Sequence, residues 1–161
     1  MRKLFSLCVL VVLASSFYGY GQTTNKAAEA ALRKGNNAGQ NNDLSTAIIN
    51  FTKAIELDPK LASAYSNRGK VYNALKKYEE SLADFTKVIE LDPKYAVAYY
   101  CRGFTYSNLK KYPESIADYT KAIELDPKYA DAYYNRGGAY KALGKTKEAN
   151  ADFAKTKELE K

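Results

Sequence analysis

The sequence contains neither histidine nor tryptophan, and only two cysteines, Cys8 near its start and Cys101. Without histidine the chain has no Ser-His-Asp or Cys-His catalytic arrangement and no imidazole ligand for a metal ion. Cys8 lies in an apolar segment that we expect to be removed, so Cys101 has no partner for a disulfide and side-chain packing must stabilise the fold. The composition therefore predicts a protein that is not an enzyme and that holds no metal and no cofactor.

Long hydrophobic runs are also missing. The longest one, residues 4–14, follows the basic pair Arg2 and Lys3 and is interrupted by Ser6. At about eleven residues it is too short to cross a bilayer, for which a helix needs roughly 20 apolar residues, but it matches the pattern of a secretory signal. We expect residues 1–21 to be a signal peptide whose removal leaves no membrane span, in a protein that is periplasmic or secreted.

Small residues near the end of this segment suit a signal peptidase. Gly19 and Gly21 place the cleavage before Gln22, and Ala14 with Ser16 offers a second site. Retention of the segment as an uncleaved anchor is the less favoured alternative.

Charge of one sign is only slightly in excess. The formal net charge is +7, or +5 without Arg2 and Lys3, and acidic residues are interspersed among the basic ones. A mild and mixed excess of this kind is more typical of a soluble protein than of a nucleic-acid binder.

A repeated unit organises the remaining sequence. Residues 62–95 and 96–129 are identical at 23 of 34 positions without a gap, and the sequence Ile-Glu-Leu-Asp-Pro-Lys starts at Ile55 and recurs, evenly spaced, at Ile89 and Ile123. We expect one domain of four repeats, preceded by a short, loose leader at residues 22–27. The four repeats are residues 28–61, 62–95, 96–129 and 130–161.

Each repeat is predicted to form two amphipathic helices. In the second repeat, Tyr65, Gly69 and Tyr72 recur at the spacing of three and four residues that places side chains on one helical face. Asp92 and Pro93 end the second helix, because the residue before a proline is pushed out of the α region. Helices of this length are too short to be stable alone, so they must pack against one another.

In this pattern the sequence resembles the tetratricopeptide-repeat family. The family's unit, of the same length, has an aromatic residue at position 4, glycine at 8, tyrosine at 11, a small residue at 20, an aromatic residue at 24 and proline at 32. The resemblance covers residues 28–161 and implies an all-α fold, a right-handed superhelical solenoid of helix-turn-helix repeats. We expect the glycine to face the small residue at position 20, so that the two helices approach closely. In the second repeat these residues are Tyr65, Gly69, Tyr72, Ser81, Phe85 and Pro93.

Position 7, usually leucine in the family, is arginine in the last three repeats, and position 23 of the same repeats is aspartate. We interpret each combination as a buried or half-buried ion pair between the two helices of a repeat, because position 7 faces the core and an arginine fork can hold a carboxylate with two bonds. The alternative is that the arginines face the groove and hold an acidic ligand. The predicted pairs are Arg68 with Asp84, Arg102 with Asp118, and Arg136 with Asp152.

The resemblance also implies a binding surface. First helices of stacked repeats line a groove in which members of the family hold a peptide or protein, through positions 2, 5, 6, 9, 12 and 13. Aromatic rings would supply apolar area there and amides would bind the ligand backbone. If they are ligand contacts, Tyr100 and Tyr134 would present both rings on one wall of the groove. The alternative is that Tyr100 and Phe104 only pack against adjacent helices. The implied groove residues are Asn67, Lys70, Asn73, Tyr100, Phe104, Asn108, Tyr134, Asn135 and Lys141, with Ser66, Cys101 and Ser107 beside them.

One ligand class of the family does not fit the residues. Members that clamp the C-terminal carboxylate of chaperones need lysine, asparagine and arginine at fixed positions of three successive repeats. This chain offers two sets of three successive repeats, and neither supplies those residues. The first offers Leu32, Asn36, Asn67, Val97 and Cys101, and the second offers Ser66, Lys70, Cys101, Asp131 and Asn135.

The sequence therefore predicts a scaffold that binds an unidentified protein or peptide in the cell envelope, and the style of its signal and repeats indicates a bacterial source. The alternative is a polyanion or nucleic-acid binder that uses the basic surface, including Lys60, Lys94 and Lys128. Export and the acidic residues between the lysines argue against nucleic acid.

Overall fold

The computed structural model describes residues 25–161. The signal peptide predicted at residues 1–21 lies outside this range. Of the leader predicted as loose, residues 25–27 are described, and they already belong to the first helix. This part of the expectation is wrong because lysine and alanine are strong helix formers and no proline precedes them to stop the helix.

Residues 25–161 form eight α-helices and no β-strand, which confirms the predicted all-α fold. The helices come in pairs, and the last three pairs start at the same position of successive repeats. The elements are α1 (25–40), α2 (Leu44–Leu57), α3 (Ala62–Ala74), α4 (Tyr78–Leu91), α5 (Ala96–Asn108), α6 (Tyr112–Leu125), α7 (Ala130–Ala142) and α8 (Thr146–Leu159).

The chain divides after Ala64 into two compact units. The core of the first unit consists of small residues, Ala31, Ala54 and Ala64, bordered by larger aliphatic ones. In the second unit each helix from α4 to α8 packs against the next one along the chain. Part of its core is a cluster of Ala122, Ile123 and Ala132, against which Tyr99, Tyr100, Tyr129 and Tyr133 pack.

The turn inside each repeat contains one residue with a left-handed backbone. Its φ is +59° at Asn42, +58° at both Lys76 and Lys110, and +74° at Gly144. Glycine and asparagine adopt this conformation readily, whereas it costs other residues about 1 to 2 kcal/mol. Lys76 and Lys110 therefore hold a strained backbone that the first and last repeats avoid.

Two backbone hydrogen bonds close this turn after α3. The N–H of Lys77 donates to the carbonyl of Tyr72 at 2.8 Å, and the N–H of Lys76 donates to the carbonyl of Asn73 at 3.0 Å. This is the Schellman arrangement that ends many helices. It fixes where the chain leaves α3 and where α4 begins.

Glycine at position 8 brings the two helices of a repeat together, and its nearest neighbour is the aromatic ring at position 24. A Cβ atom on Gly103 would lie 3.0 Å from the ring of Tyr119, which is fully buried. The ring at position 24, rather than the small residue at position 20, is thus the nearest contact of the glycine in this repeat. In the fourth repeat position 20 also comes near, since the backbone oxygen of Ala149 would lie 3.2 Å from a Cβ atom on Gly137.

Ion pairs join the two helices of each of the last three repeats. Arg102 donates from Nε and Nη2 to the two carboxylate oxygens of Asp118, both at 2.8 Å, and its Nη1 donates to Thr86 of the preceding repeat at 3.2 Å. The three aspartates are buried. An acidic ligand would have to displace an aspartate from each arginine. Matching two-bond pairs join Arg68 to Asp84 and Arg136 to Asp152.

Burial limits what such a pair adds to stability. Burial raises the pKa of Asp84 above its ordinary value, although the hydrogen bonds from Arg68 act in the opposite direction. The hydrogen bond to Asp84 raises the pKa of Arg68. A buried pair of this kind is often no better than a well-packed apolar pair, although removal of one partner costs about 3 to 5 kcal/mol. The pair thus fixes the relative position of α3 and α4 more than it adds net stability.

Two adjacent glycines in α7 allow a direct test of the glycine–ring contact. A Cβ on Gly137 would lie 2.8 Å from the ring of Phe153, whereas one on Gly138 would meet no atom within 4 Å. We expect Gly137→Ala to lower the free energy of unfolding by about 1 to 2 kcal/mol, because overpacking outweighs the better helix propensity of alanine. Gly138→Ala should raise it by about 0.5 to 1 kcal/mol.

Urea unfolding followed by circular dichroism measures both changes. Effects of the same sign and size in the two variants would show that the ring does not limit the approach of α7 to α8.

Candidate functional site

An open groove with a volume of about 470 Å³ lies between α3 and α5, next to the turn that follows α3. The ring of Phe104 is 42% exposed and forms part of its apolar wall. The groove also includes Ala74, which occupies contact position 13 but was not among the predicted residues, and two residues that the repeat positions did not indicate, Lys76 and Tyr78. Five of the nine predicted groove residues line it, namely Lys70, Asn73, Tyr100, Phe104 and Asn108.

The turn residue Lys76 reaches the groove because its left-handed backbone ends α3 at this point. Tyr78, the first residue of α4, follows it. Sequence reasoning missed both, since it took ligand contacts only from the first helices. The available signal was the register: Asn42 and Gly144, which adopt positive φ readily, occupy the same position of the first and last repeats.

Tyr100 is half-buried, and neighbouring rings cover it. Its ring centroid lies 5.8 Å from that of Tyr119 and 4.8 Å from that of Tyr129, and its hydroxyl accepts a hydrogen bond from the side-chain amide of Asn135 at 3.0 Å. Burial raises the pKa of Tyr100, so the hydroxyl stays protonated. Tyr100 is therefore largely a packing residue between the third and fourth repeats, as the alternative interpretation stated.

Tyr134 occupies the same position one repeat later but is 59% exposed. It lines a second open cavity, of about 470 Å³, together with Lys141 and the ring of Phe153. Tyr100 and Tyr134, which we expected to present both rings on one wall, line different cavities and differ in exposure. The side-chain amide of Asn135 donates a hydrogen bond to Tyr100. Neither Asn135 nor the half-buried Asn67 lines either of these two cavities.

The amides in the groove are held in place by the protein. Asn73 donates to the hydroxyl of Thr105 at 2.8 Å, and Asn108 donates to the carbonyl of Phe104 at 3.1 Å. The side-chain oxygen of Asn73 is buried and accepts no hydrogen bond from residues 25–161. An acceptor left unsatisfied in this way is uncommon in folded proteins. The amide of Asn73 therefore faces the interior, whereas the side chain of Asn108 is exposed.

Cys101 also lines the groove, but burial raises the pKa of its thiol. The thiolate is the reactive form of cysteine. Because the thiol stays protonated at neutral pH, Cys101 contributes an apolar surface rather than a nucleophile.

Two lysines of the groove differ from three of the lysines on the second helices. Lys70 and Lys76 form no ion pair with any carboxylate in the described part of the chain. On α4, α6 and α8, by contrast, a lysine pairs with the glutamate three residues later at 2.7 to 3.0 Å. The paired lysines are Lys87, Lys121 and Lys155.

Two further searches concern residues 25–161 only. No group of three or more cysteine, aspartate and glutamate side chains in this range is arranged to hold a metal ion. Within the same range, none of the helices has the length and apolar character needed to cross a membrane.

The difference between the two tyrosines predicts different effects on stability. We expect Tyr100→Ala to lower the free energy of unfolding by about 2 to 3 kcal/mol, because it removes ring contacts and one hydrogen bond. Tyr134→Ala should change it by less than about 1 kcal/mol, since the side chain is mostly exposed.

Urea denaturation of the two variants measures this difference, and Tyr100→Phe is the control that removes only the hydroxyl. Equal losses for the two alanine variants would contradict the covered position of Tyr100.

Comparison with known proteins agrees with this architecture. A family model described as TPR repeat matches residues 35–76 and 108–144, and models described as tetratricopeptide repeat match residues 62–95, 85–117 and 130–161. Together these matches extend over residues 35–161.

Solved structures with similar folds include a crystal structure of MamA, which is 28% identical, with a TM-score of 0.80 over 87% of this chain and 84% of that one. The first TPR of Spaghetti (RPAP3), solved with the HSP90 peptide SRMEEVD, is also 28% identical, with a TM-score of 0.73 over 74% of this chain and 95% of that one.

A curated relative, Hsp70-Hsp90 organizing protein 3 of Arabidopsis thaliana, is 49% identical over 55 residues. The match includes 34% of this chain but spans only a tenth of that protein's length. The family models, the helix pairs and the similar solved structures agree, and the chain belongs to the tetratricopeptide-repeat family.

Proposed function

We propose that this protein is a non-enzymatic scaffold of the cell envelope that binds an extended segment of another protein in the groove between α3 and α5. The observation that carries the proposal is the exposed ring of Phe104 beside the exposed and fixed amide of Asn108. A ring of this kind contributes apolar contact area, and amides can bind the ligand backbone, which is how extended peptides are commonly recognised.

The similar solved structures support this class of function. The first TPR of Spaghetti holds a peptide. That peptide ends in a carboxylate, whereas the present chain lacks the residue set that clamps a terminal carboxylate. The proposal therefore takes from this neighbour only the general mode, a peptide bound to tetratricopeptide repeats, and not the partner.

A basic surface that binds polyanions is the second candidate, and the arrangement of charges disfavours it. Lys87, Lys121 and Lys155 on the second helices are paired with glutamates, so each of these charges is neutralised locally. At the turns between repeats, the backbone N–H of Lys94 donates to the Asp92 carboxylate at 3.0 Å, which keeps a negative charge beside that lysine. Polyanion binding depends on many unneutralised cations.

Selection from a displayed library of short random peptides tests groove binding. We expect the chain to enrich peptides, and we expect Phe104→Ala to weaken the Kd of synthetic copies at least about tenfold, because a hot-spot aromatic residue contributes about 2 kcal/mol or more. Helical content and the melting temperature should stay near wild type, since Phe104 is partly exposed.

Lys121→Ala is the matched control on a second helix and should leave the Kd unchanged. The groove proposal fails if no peptide is enriched, or if Lys121→Ala weakens binding and Phe104→Ala does not. The second of these results would favour the polyanion alternative.

Export is proposed from the apolar run at residues 4–14 and the small residues after it. Expression of the full chain in a Gram-negative host, followed by cell fractionation, should place a shortened chain in the periplasm. N-terminal sequencing should find Gln22 first, or a residue shortly after Ser16 if the second site is used. A full-length chain in the cytosol would contradict the envelope assignment, and one in the membrane fraction would indicate an uncleaved anchor.

A further inference from the structure

We infer that the groove selects segments in which an acidic side chain stands beside a bulky apolar one, and that the turn residue Lys76 forms the acid-binding end together with Lys70. This inference rests on the proposed function, because it names the class of segment that the same groove takes. It concerns an internal acidic side chain, not a terminal carboxylate.

The charged side chains that line the groove are of one sign. Its lining contains Lys70 and Lys76 but no aspartate or glutamate. Neither lysine has an ion-pair partner among residues 25–161. Two like charges that line one small groove repel each other, and an anionic side chain bound between them would relieve that repulsion. The electrostatics of the groove thus favour an acidic ligand.

Apolar surface lies at the other side of the same groove. Phe104 occupies in α5 the repeat position that Lys70 occupies in α3, so the groove passes from a cation to an aromatic ring in one step along the repeats. The covered ring of Tyr100, also on α5, extends this apolar side. A ligand therefore places its acidic group toward α3 and its apolar side chain toward α5.

Lys76 is the residue that distinguishes this groove from the rest of the repeat array. It keeps a left-handed backbone at a position where the first and last repeats use asparagine and glycine. Strain of this kind is often retained at functional sites. Lys110 has the same φ but does not line the groove, so strain alone does not identify a ligand contact. Only Lys76 of the two adds its charge to the groove lining.

The peptide library described above also tests this inference. Among enriched peptides we expect an excess of aspartate or glutamate close to a bulky apolar residue. The most enriched peptide is then synthesised with both ends blocked, in its acidic form and in a form with asparagine and glutamine instead. We expect the amide form to bind about tenfold more weakly at low salt, and the difference to shrink as salt is raised.

Lys76→Gly and Lys110→Gly form a matched pair, because each relieves the same backbone strain. Both should raise the urea midpoint of unfolding. Only Lys76→Gly should weaken the binding of the acidic peptide, by about fivefold, and it should leave the binding of the amide form unaffected. Lys70→Gln should act in the same direction as Lys76→Gly without the gain in stability.

The possible results separate the inference from the function on which it rests. Enriched peptides that depend on Phe104 but show no acidic excess would overturn the inference and leave the binding function intact. Equal effects of Lys76→Gly and Lys110→Gly on the acidic peptide would also overturn it. If no peptide is enriched, or if a DNA oligonucleotide binds through Lys70 while peptides do not, both the function and the inference fail.

Discussion

The contact between a glycine and an aromatic ring inside each repeat sets the distance between its two helices. In the third repeat the ring of Tyr119 occupies the space where Gly103 has no side chain. At this separation Arg102, one residue before the glycine, reaches both oxygens of Asp118 and also the hydroxyl of Thr86 in the preceding repeat. The close approach thus fixes the helix pair internally and connects it to its neighbour. The groove depends on the spacing within a helix pair and on the connection between pairs, since its walls come from successive repeats.

Much of this architecture is encoded at fixed positions and could be predicted from the sequence. The repeat period predicted the helix starts at Ala62, Ala96 and Ala130, because the same Asp-Pro turn precedes each of them. The joint occurrence of arginine at position 7 and aspartate at position 23 indicated a contact between two helices. Such features depend on residues within one repeat, which a repeated sequence displays several times.

Features that depend on neighbouring repeats were harder to predict. Tyr100 and Tyr134 occupy the same position, yet one is covered by the next helix pair and the other is open. Lys76 resembles any surface lysine in the sequence, and only its backbone conformation and the adjacent α5 make it part of a groove. Position in the repeat determines which way a side chain points, whereas the next repeat determines what it meets.

The hydrogen bonds between repeats of the second unit are local in sequence. The widest of those described, from Asn135 to Tyr100, joins residues only 35 positions apart. Proteins dominated by such contacts fold quickly, because little chain entropy is lost in closing each loop. A helix pair can dock as soon as its own repeat and the preceding one are available. Folding of this unit can therefore proceed one repeat at a time while the rest of the chain is still being synthesised.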